Sequence, residues 1–372
     1  MHCDLRCRMK LKEIIHHLES FAPGQLQEDY DNSGLQVGDP EKEIRSALVC
    51  LDCTEDVVEE ARSINADLII SHHPVIFKGL KSLTGRNYVE RTILKAIRND
   101  IAIYSIHTNL DNVLSGVNGE MADRLGLKPI GVLDPKPAQL RKLVVFVPKA
   151  HAEKVRSAMF KAGAGGIGDY SECSFNLAGT GTFKAGAGTD PYVGAIGQRH
   201  EEAEIRVEVL VRATQEREVV RAMIEAHPYE EVAHDLYPLL NNDRYTGSGL
   251  IGEWEKPLKE AELLDLLKKV FQLQAIRHTR LLDRPVKRVA LCGGSGSFLM
   301  GKAITSGADV FITGDVKYHQ FFDADGRILL VDIGHFGSEQ YTMNLIQRLL
   351  NEKFPTFAVR LTETVTDPIH HY

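Results

Sequence analysis

The chain has 372 residues, 43% of them hydrophobic and 26% charged, which is the profile of a folded protein too long for a single core. That composition excludes disordered, collagen-like and coiled-coil chains. The net charge of -7 argues against a non-specific nucleic-acid binder, which would carry a basic excess.

Met1–Lys10 has no apolar signal-peptide core, and no run approaches the roughly 20 apolar residues of a membrane span. The expectation is a cytoplasmic protein without a membrane segment. A helical pattern opens at Met9 (Leu11, Ile14, Ile15, Leu18), so residues 1–8 read as an upstream extension. The first half then alternates strand and helix. Ala47–Asp52 has strand length, and Glu55–Ile64 reads as a helix capped by Thr54. Cys50, inside that strand, and Cys53 form a lone C-x-x-C, read as buried structural thiols. Strand Asp67–Ser71 ends in His72-His73-Pro74, helix Tyr88–Ile97 follows, and strand Ile101–Ile106 ends in His107. Apolar strands spaced by helices imply parallel pairing in a sheet covered on both faces.

The rhythm changes at Gly131–Ala138, which reads as a linker. Strand Lys142–Val147, helix His151–Lys161, strands Ser174–Phe183 and Ile205–Val211, helix Gln215–Ala226 and strand Val232–Leu239 follow. The order βαββαβ fits a ferredoxin-like unit. Lys184–Glu204 between its middle strands reads as an exposed loop. After Asn241–Gly249 the α/β alternation returns with strands Val289–Cys292, Val310–Thr313 and Ile328–Asp332, and a long helix from Phe336 to Glu352. The predicted architecture is a discontinuous α/β domain, residues 1–130 and 246–372, with an α+β domain inserted at 131–245.

Chemistry-bearing residues gather beyond strand ends, where open parallel sheets place functional groups. One strand delivers His72 and His73, the next His107 and Asp111, later ones Asp315 with His319, and His335 with Glu339. His335 and Glu339 are four apart and share a helix face if a helix starts there. Adjacent His72 and His73 can serve one site only if the chain leaves the strand, which Pro74 favours. Imidazoles with carboxylates and no cysteine point to a catalytic-type divalent-metal site for Zn, Mn, Fe or Co rather than a closed structural zinc. Gly293–Ser297, GGSGS, reads as a tight turn or as an anion cradle before a helix. Asp31–Gly34 reads as a turn or as a source of polar groups near the site. His227–Glu231, HPYEE, reads as a helix stop or as an interface motif.

Six motifs in order are DNSGLQVG (31–38), SHHPVIF (71–77), HTNLD (107–111), GGSGS, TGDVKYH (313–319) and DIGHFGSE (332–339). Together they resemble the Nif-three-like family, whose bacterial members are often named GTP cyclohydrolase 1 type 2 homologues. The resemblance implies a toroidal homohexamer with two divalent ions per subunit, held by His72, His73, Asp111, His335 and Glu339, the last bridging. It places His107 behind the ligands and His319 near the metals without binding them. These two become the candidate proton carriers of a hydrolase acting on a small molecule, a nucleotide or another cyclic amide or phosphoester. Relatives often have His-His where this chain has Tyr318-His319. Residues 131–245 resemble the PII/CutA-like insert of long bacterial members. The rival expectation is a non-enzymatic metal-binding or regulatory assembly.

Overall fold

Apolar runs of strand length seed separate sheets in the computed structural model, which describes residues 8–371. The expected extension at the N-terminus, with Cys3 and Cys7, lies almost wholly outside the described residues. The chain divides into two compact units, one comprising the chain up to Pro135 together with Arg244 onward, the other Lys136–Asp243.

The first unit contains two main sheets. One has the order Ala358–Leu361, Ser46–Cys50, Leu68–Ser71, Ala102–Ser105, Gly34–Val37. Its first four strands are parallel, and the last pairs antiparallel with Ala102–Ser105. Cys50 pairs with Ser71 and Ser71 with Ser105, so three carboxyl ends finish level. Side chains alternate across this sheet. Val49, Ile70 and Tyr104 pack under helices Leu11–Phe21 and Thr342–Lys353. Leu48, Ile69 and Ile103 pack under helices Glu55–Ser63 and Tyr88–Arg98 on the other face. Both faces are dry, which is why the strands lack polar alternation. Thr54 caps the first of these helices, its hydroxyl accepting from the Val57 amide. Cys50 and Cys53 are free and buried in this core, where desolvation pushes the Cys53 thiol up to about 12, as structural thiols should be.

The second sheet has the order Arg277–His278, Leu329–Asp332, Val310–Thr313, Val286–Leu291, Gly247–Leu258, Lys128–Pro135. Only the three strands from Leu329–Asp332 to Val286–Leu291 pair in parallel. The other pairings are antiparallel, so the expectation of parallel pairing holds at the centre of each sheet and at the Ala358–Leu361 edge, and fails at the other edges. The linker expected at Gly131–Ala138 is also corrected. Lys128–Pro135 is a strand, held by Gly247–Leu258, and that pairing moves the unit boundary past Pro135. The helix expected over 336–352 is two helices, His335–Glu339 and Thr342–Lys353. Between them the Gln340 amide nitrogen donates to the Phe271 carbonyl and the Tyr341 hydroxyl to that of Val270, fastening the break to the end of helix Glu260–Val270.

The inserted unit runs strand Leu140–Pro148, helix Ala152–Lys161, strands Ser174–Lys184 and Arg199–Arg212, helix Glu216–Ala226, strand His234–Pro238. Its antiparallel sheet has the order His234–Pro238, Leu140–Pro148, Arg199–Arg212, Ser174–Lys184. Val145, Val207 and Val209 bury one sheet face among Val155, Met159, Val219 and Met223 of the two helices. The loop expected over Lys184–Glu204 is shorter, because residues 199–204 pair with 179–184. His227 stops its helix: its Nε2–H donates to the Phe146 carbonyl, and its Nδ1 accepts from the Tyr229 amide.

Candidate metal centre

His72 and His73 leave the end of strand Leu68–Ser71 with both rings turned into one site, their centroids 4.9 Å apart. The Ser71 hydroxyl donates to the His73 carbonyl, closing the chain into a bend there. His72 is fully buried, and its Nδ1–H donates to the Ile106 carbonyl at 2.8 Å. A carbonyl can only accept, so Nε2 is left as a bare lone pair. That atom is buried without a hydrogen-bond partner, and so is Asp111 Oδ1, 3.6 Å away. Two buried acceptors facing each other with nothing between them is a costly arrangement unless a cation joins them.

His73 and His335 repeat the pattern. His73 Nδ1 bonds Asp52 at 2.8 Å, and His335 Nδ1 bonds Asp315 at 2.7 Å. Their Nε2 atoms lie 3.2 Å apart, each 3.0 Å from Glu339 Oε2. Glu339 Oε1 lies 3.8 Å from His72 Nε2. Glu339 therefore belongs to two groups that share it, His72–Asp111–Glu339 and His73–His335–Glu339, with the ligand-type atoms of each group within 4.8 Å of one another.

The protonation equilibria record the same demand for positive charge. Burial opposes charge on His73, but the Asp52 and Glu339 carboxylates outweigh it and hold the ring up at about 10. Burial likewise opposes charge on His335, and Glu339 with Asp315 raises it to about 9. Burial pushes His72 down to about 4. Burial and the charge of Glu339 raise Asp111 well above the usual carboxylate range. Glu339 is buried too, yet His335 and His73, each 3.0 Å from its Oε2, hold it well below that range.

His107 stands at the edge of this cluster. Its ring centroid is 5.2 Å from those of both His72 and His73, and Asp31 grips its Nδ1 at 2.7 Å. The Thr108 amide and the Ser33 hydroxyl also bond Asp31, which fixes the carboxylate and so the ring. His319 is not brought into the cluster. It lies exposed on the turn Tyr318–Ala324, with its ring against Tyr318 and Phe322.

Glycines clear the space around Glu339. A Cβ on Gly294 would lie 2.3 Å from Glu339 Oε1, and the residue sits at φ +61. The GGSGS loop is therefore a tight turn and not an anion cradle. Its Gly293, Gly294 and Gly296 amides donate to Asn118, Ser338 and Thr313, which leaves them unavailable to a phosphate. Asp315 adopts φ +52, a left-handed conformation that an Asp tolerates, and this aims its carboxylate at His335. Asp52 carries no local motif. Its only signal is its position just beyond a parallel strand, and the Thr366 hydroxyl from the C-terminal segment holds its second oxygen. A carboxylate or carbonyl behind each imidazole fixes the tautomer that a metal needs.

The residues thus fit a divalent cation on donor chemistry alone: converging imidazole Nε2 atoms and carboxylates, with oriented partners behind them. Comparison with known proteins agrees in fold and family. A Bacillus cereus protein described as related to NIF3 superposes with a TM-score of 0.87 at 38% identity, covering 98% of this chain and 99% of that one. A Staphylococcus aureus protein gives a TM-score of 0.76 at 29% identity, with the same coverage. "GTP cyclohydrolase 1 type 2 homolog" proteins of Halalkalibacterium halodurans and Bacillus subtilis are 42% and 37% identical, over 95% and 96% of this chain and 97% of each relative. The family model described as Duf34/NIF3 (NGG1p interacting factor 3) matches residues 9–368, and the chain belongs to that family.

Proposed function

We propose that this protein is a metal-dependent hydrolase whose site holds two divalent ions. His72, Asp111 and Glu339 would take one ion, and His73, His335 and Glu339 the other, with Glu339 shared. The observation that carries the reading is the pair of orphaned buried acceptors, His72 Nε2 and Asp111 Oδ1, beside a second convergence of ligand-type atoms on His73, His335 and Glu339. A divalent pair of this kind supplies Lewis acidity and a water acidified toward neutral pH. The chain's own residues do the rest. Asp52, Asp315 and the Ile106 carbonyl hold the imidazoles in register. His107, steadied by Asp31, has its ring against His72 and His73 and takes the proton-transfer role ahead of His319, whose ring packs on Tyr318 and Phe322.

The names of the relatives point to a nucleotide, GTP, and the same donor set would suit another cyclic amide or a phosphoester. We further infer a ferredoxin-like, PII/CutA-like inserted unit, from its βαββαβ order and its sheet order. The homohexameric assembly is inferred from the family resemblance alone. No helix among the described residues is long and apolar enough to cross a membrane. The test is elemental analysis of purified protein joined to a hydrolysis screen of wild type against His335→Ala. Two equivalents of divalent metal, with turnover lost in the variant, is the expected result. Tight metal binding with no turnover of GTP or phosphoesters would favour a metal-binding or regulatory assembly instead.

A further inference from the structure

The inserted unit contains a cavity of about 580 Å³ on the sheet face opposite its two helices. The geometry points to a binding site for a small organic cation there, one with an ammonium-type head on an apolar body. Alternation along strand Arg199–Arg212 sends Val207 and Val209 into the core, and Glu204 and Arg206 into the cavity. The loop after Lys184 folds over this face, and its hold is polar: the Asp190 amide donates to Glu230, and Tyr192 Oη bonds His151 Nε2 at 2.9 Å.

Three aromatic rings meet where the loop, the edge strand and the HPYEE segment converge. Tyr229 lies 6.0 Å from Phe183 and 6.2 Å from Tyr192, centroid to centroid. Beside them stands Glu204, whose Oε1 accepts from the Tyr229 hydroxyl at 3.1 Å. Its other oxygen crosses the strand over Gly181, where a Cβ would lie 2.1 Å from it, so the glycine makes room for the carboxylate. No basic side chain pairs with Glu204 among the described residues, and its one hydrogen-bond partner is that neutral phenol. Arg206, further along the wall, is ion-paired with Glu208 at 3.0 Å, although its buried Nε makes no hydrogen bond. The lining carries Glu204, Glu230 and Glu231 against Lys184 and Arg206, an acidic excess. A carboxylate without a cation, set among aromatic faces in a cavity of ligand size, selects a positively charged guest over a neutral or anionic one.

The test uses the full-length protein and two probes of similar size and opposite charge, benzyltrimethylammonium and benzenesulfonate, measured by isothermal titration. The cation is expected to bind and the anion not. The isosteric change Glu204→Gln should weaken the cation about tenfold, and Tyr192→Ala, on the exposed loop, severalfold. Binding of benzenesulfonate, binding of neither probe, or an affinity unchanged in Glu204→Gln would overturn the assignment. So would a Tyr192→Ala variant that binds as well as wild type but sediments as a different oligomer, because the rings would then serve contact between copies.

Discussion

Metal uptake at the His73–His335–Glu339 group must expel protons, and the number is set by the structure. Without metal, His73 is held up at about 10 and His335 at about 9, so near neutral pH both rings are cationic. An imidazole binds metal only as the neutral base, so loading this group at about pH 8 should release about two protons. His72, pushed down to about 4, adds none. Asp111, raised by burial and by Glu339, can only add to the count. Two released protons make the apparent affinity rise about a hundredfold per pH unit below about pH 9. Calorimetric titration of Zn²⁺ or Mn²⁺ in buffers of different ionisation enthalpy reads the release directly. His335→Ala should lower it to about one proton. A release below about half a proton, or an affinity flat between about pH 7 and 9, would refute the reasoning, because His73 and His335 would then not be protonated before the metal enters.

The same shifts fix the sign of the pH effect on the metal-free fold. Both rings titrate above the unfolded value of 6.5, so their contribution to stability is full below that pH and is lost as pH rises through about 9 to 10. Denaturant melts of chelator-treated protein should show this decline, and metal-loaded protein should not follow it. Gly294→Ala places a Cβ against Glu339 at a left-handed φ. It should abolish metal retention, read by elemental analysis, while the far-ultraviolet circular dichroism stays unchanged. Asp52→Asn removes the acceptor that fixes the His73 tautomer and should cost about 10–100-fold in metal affinity with the fold intact. Ile70→Ala removes a fully buried side chain from the sheet core and should destabilise by about 2–5 kcal/mol in urea denaturation.

Much of this protein was legible locally. Apolar strand runs, helix caps and the residues just past each strand end are short-range signals, so the central strands and the ligand-type residues His72, His73, Asp111, His335 and Glu339 could be read in order along the chain. The βαββαβ order of the insert was equally readable, since each element carries its own periodicity. Several edge strands of the first unit were not. Lys128–Pro135 resembles a linker because its Gly and Pro residues are tolerated only where one neighbour, Gly247–Leu258, supplies the pairing. The short helix at His335 was hidden by a helical pattern that continues through the Gln340–Tyr341 break, which distant carbonyls of Val270 and Phe271 hold in place.

The sequence by itself determined which imidazoles and carboxylates end up at strand termini, because strand direction and length are set within a few residues. Only the tertiary structure decided that Glu339 is shared by two donor groups. It alone placed Asp52, Asp31 and Asp315 behind His73, His107 and His335, and left His319 outside the cluster. Those relations join residues up to 267 positions apart in the chain, His72 and Glu339. They depend on how two sheets bring their carboxyl ends together, and no local pattern of residues encodes that.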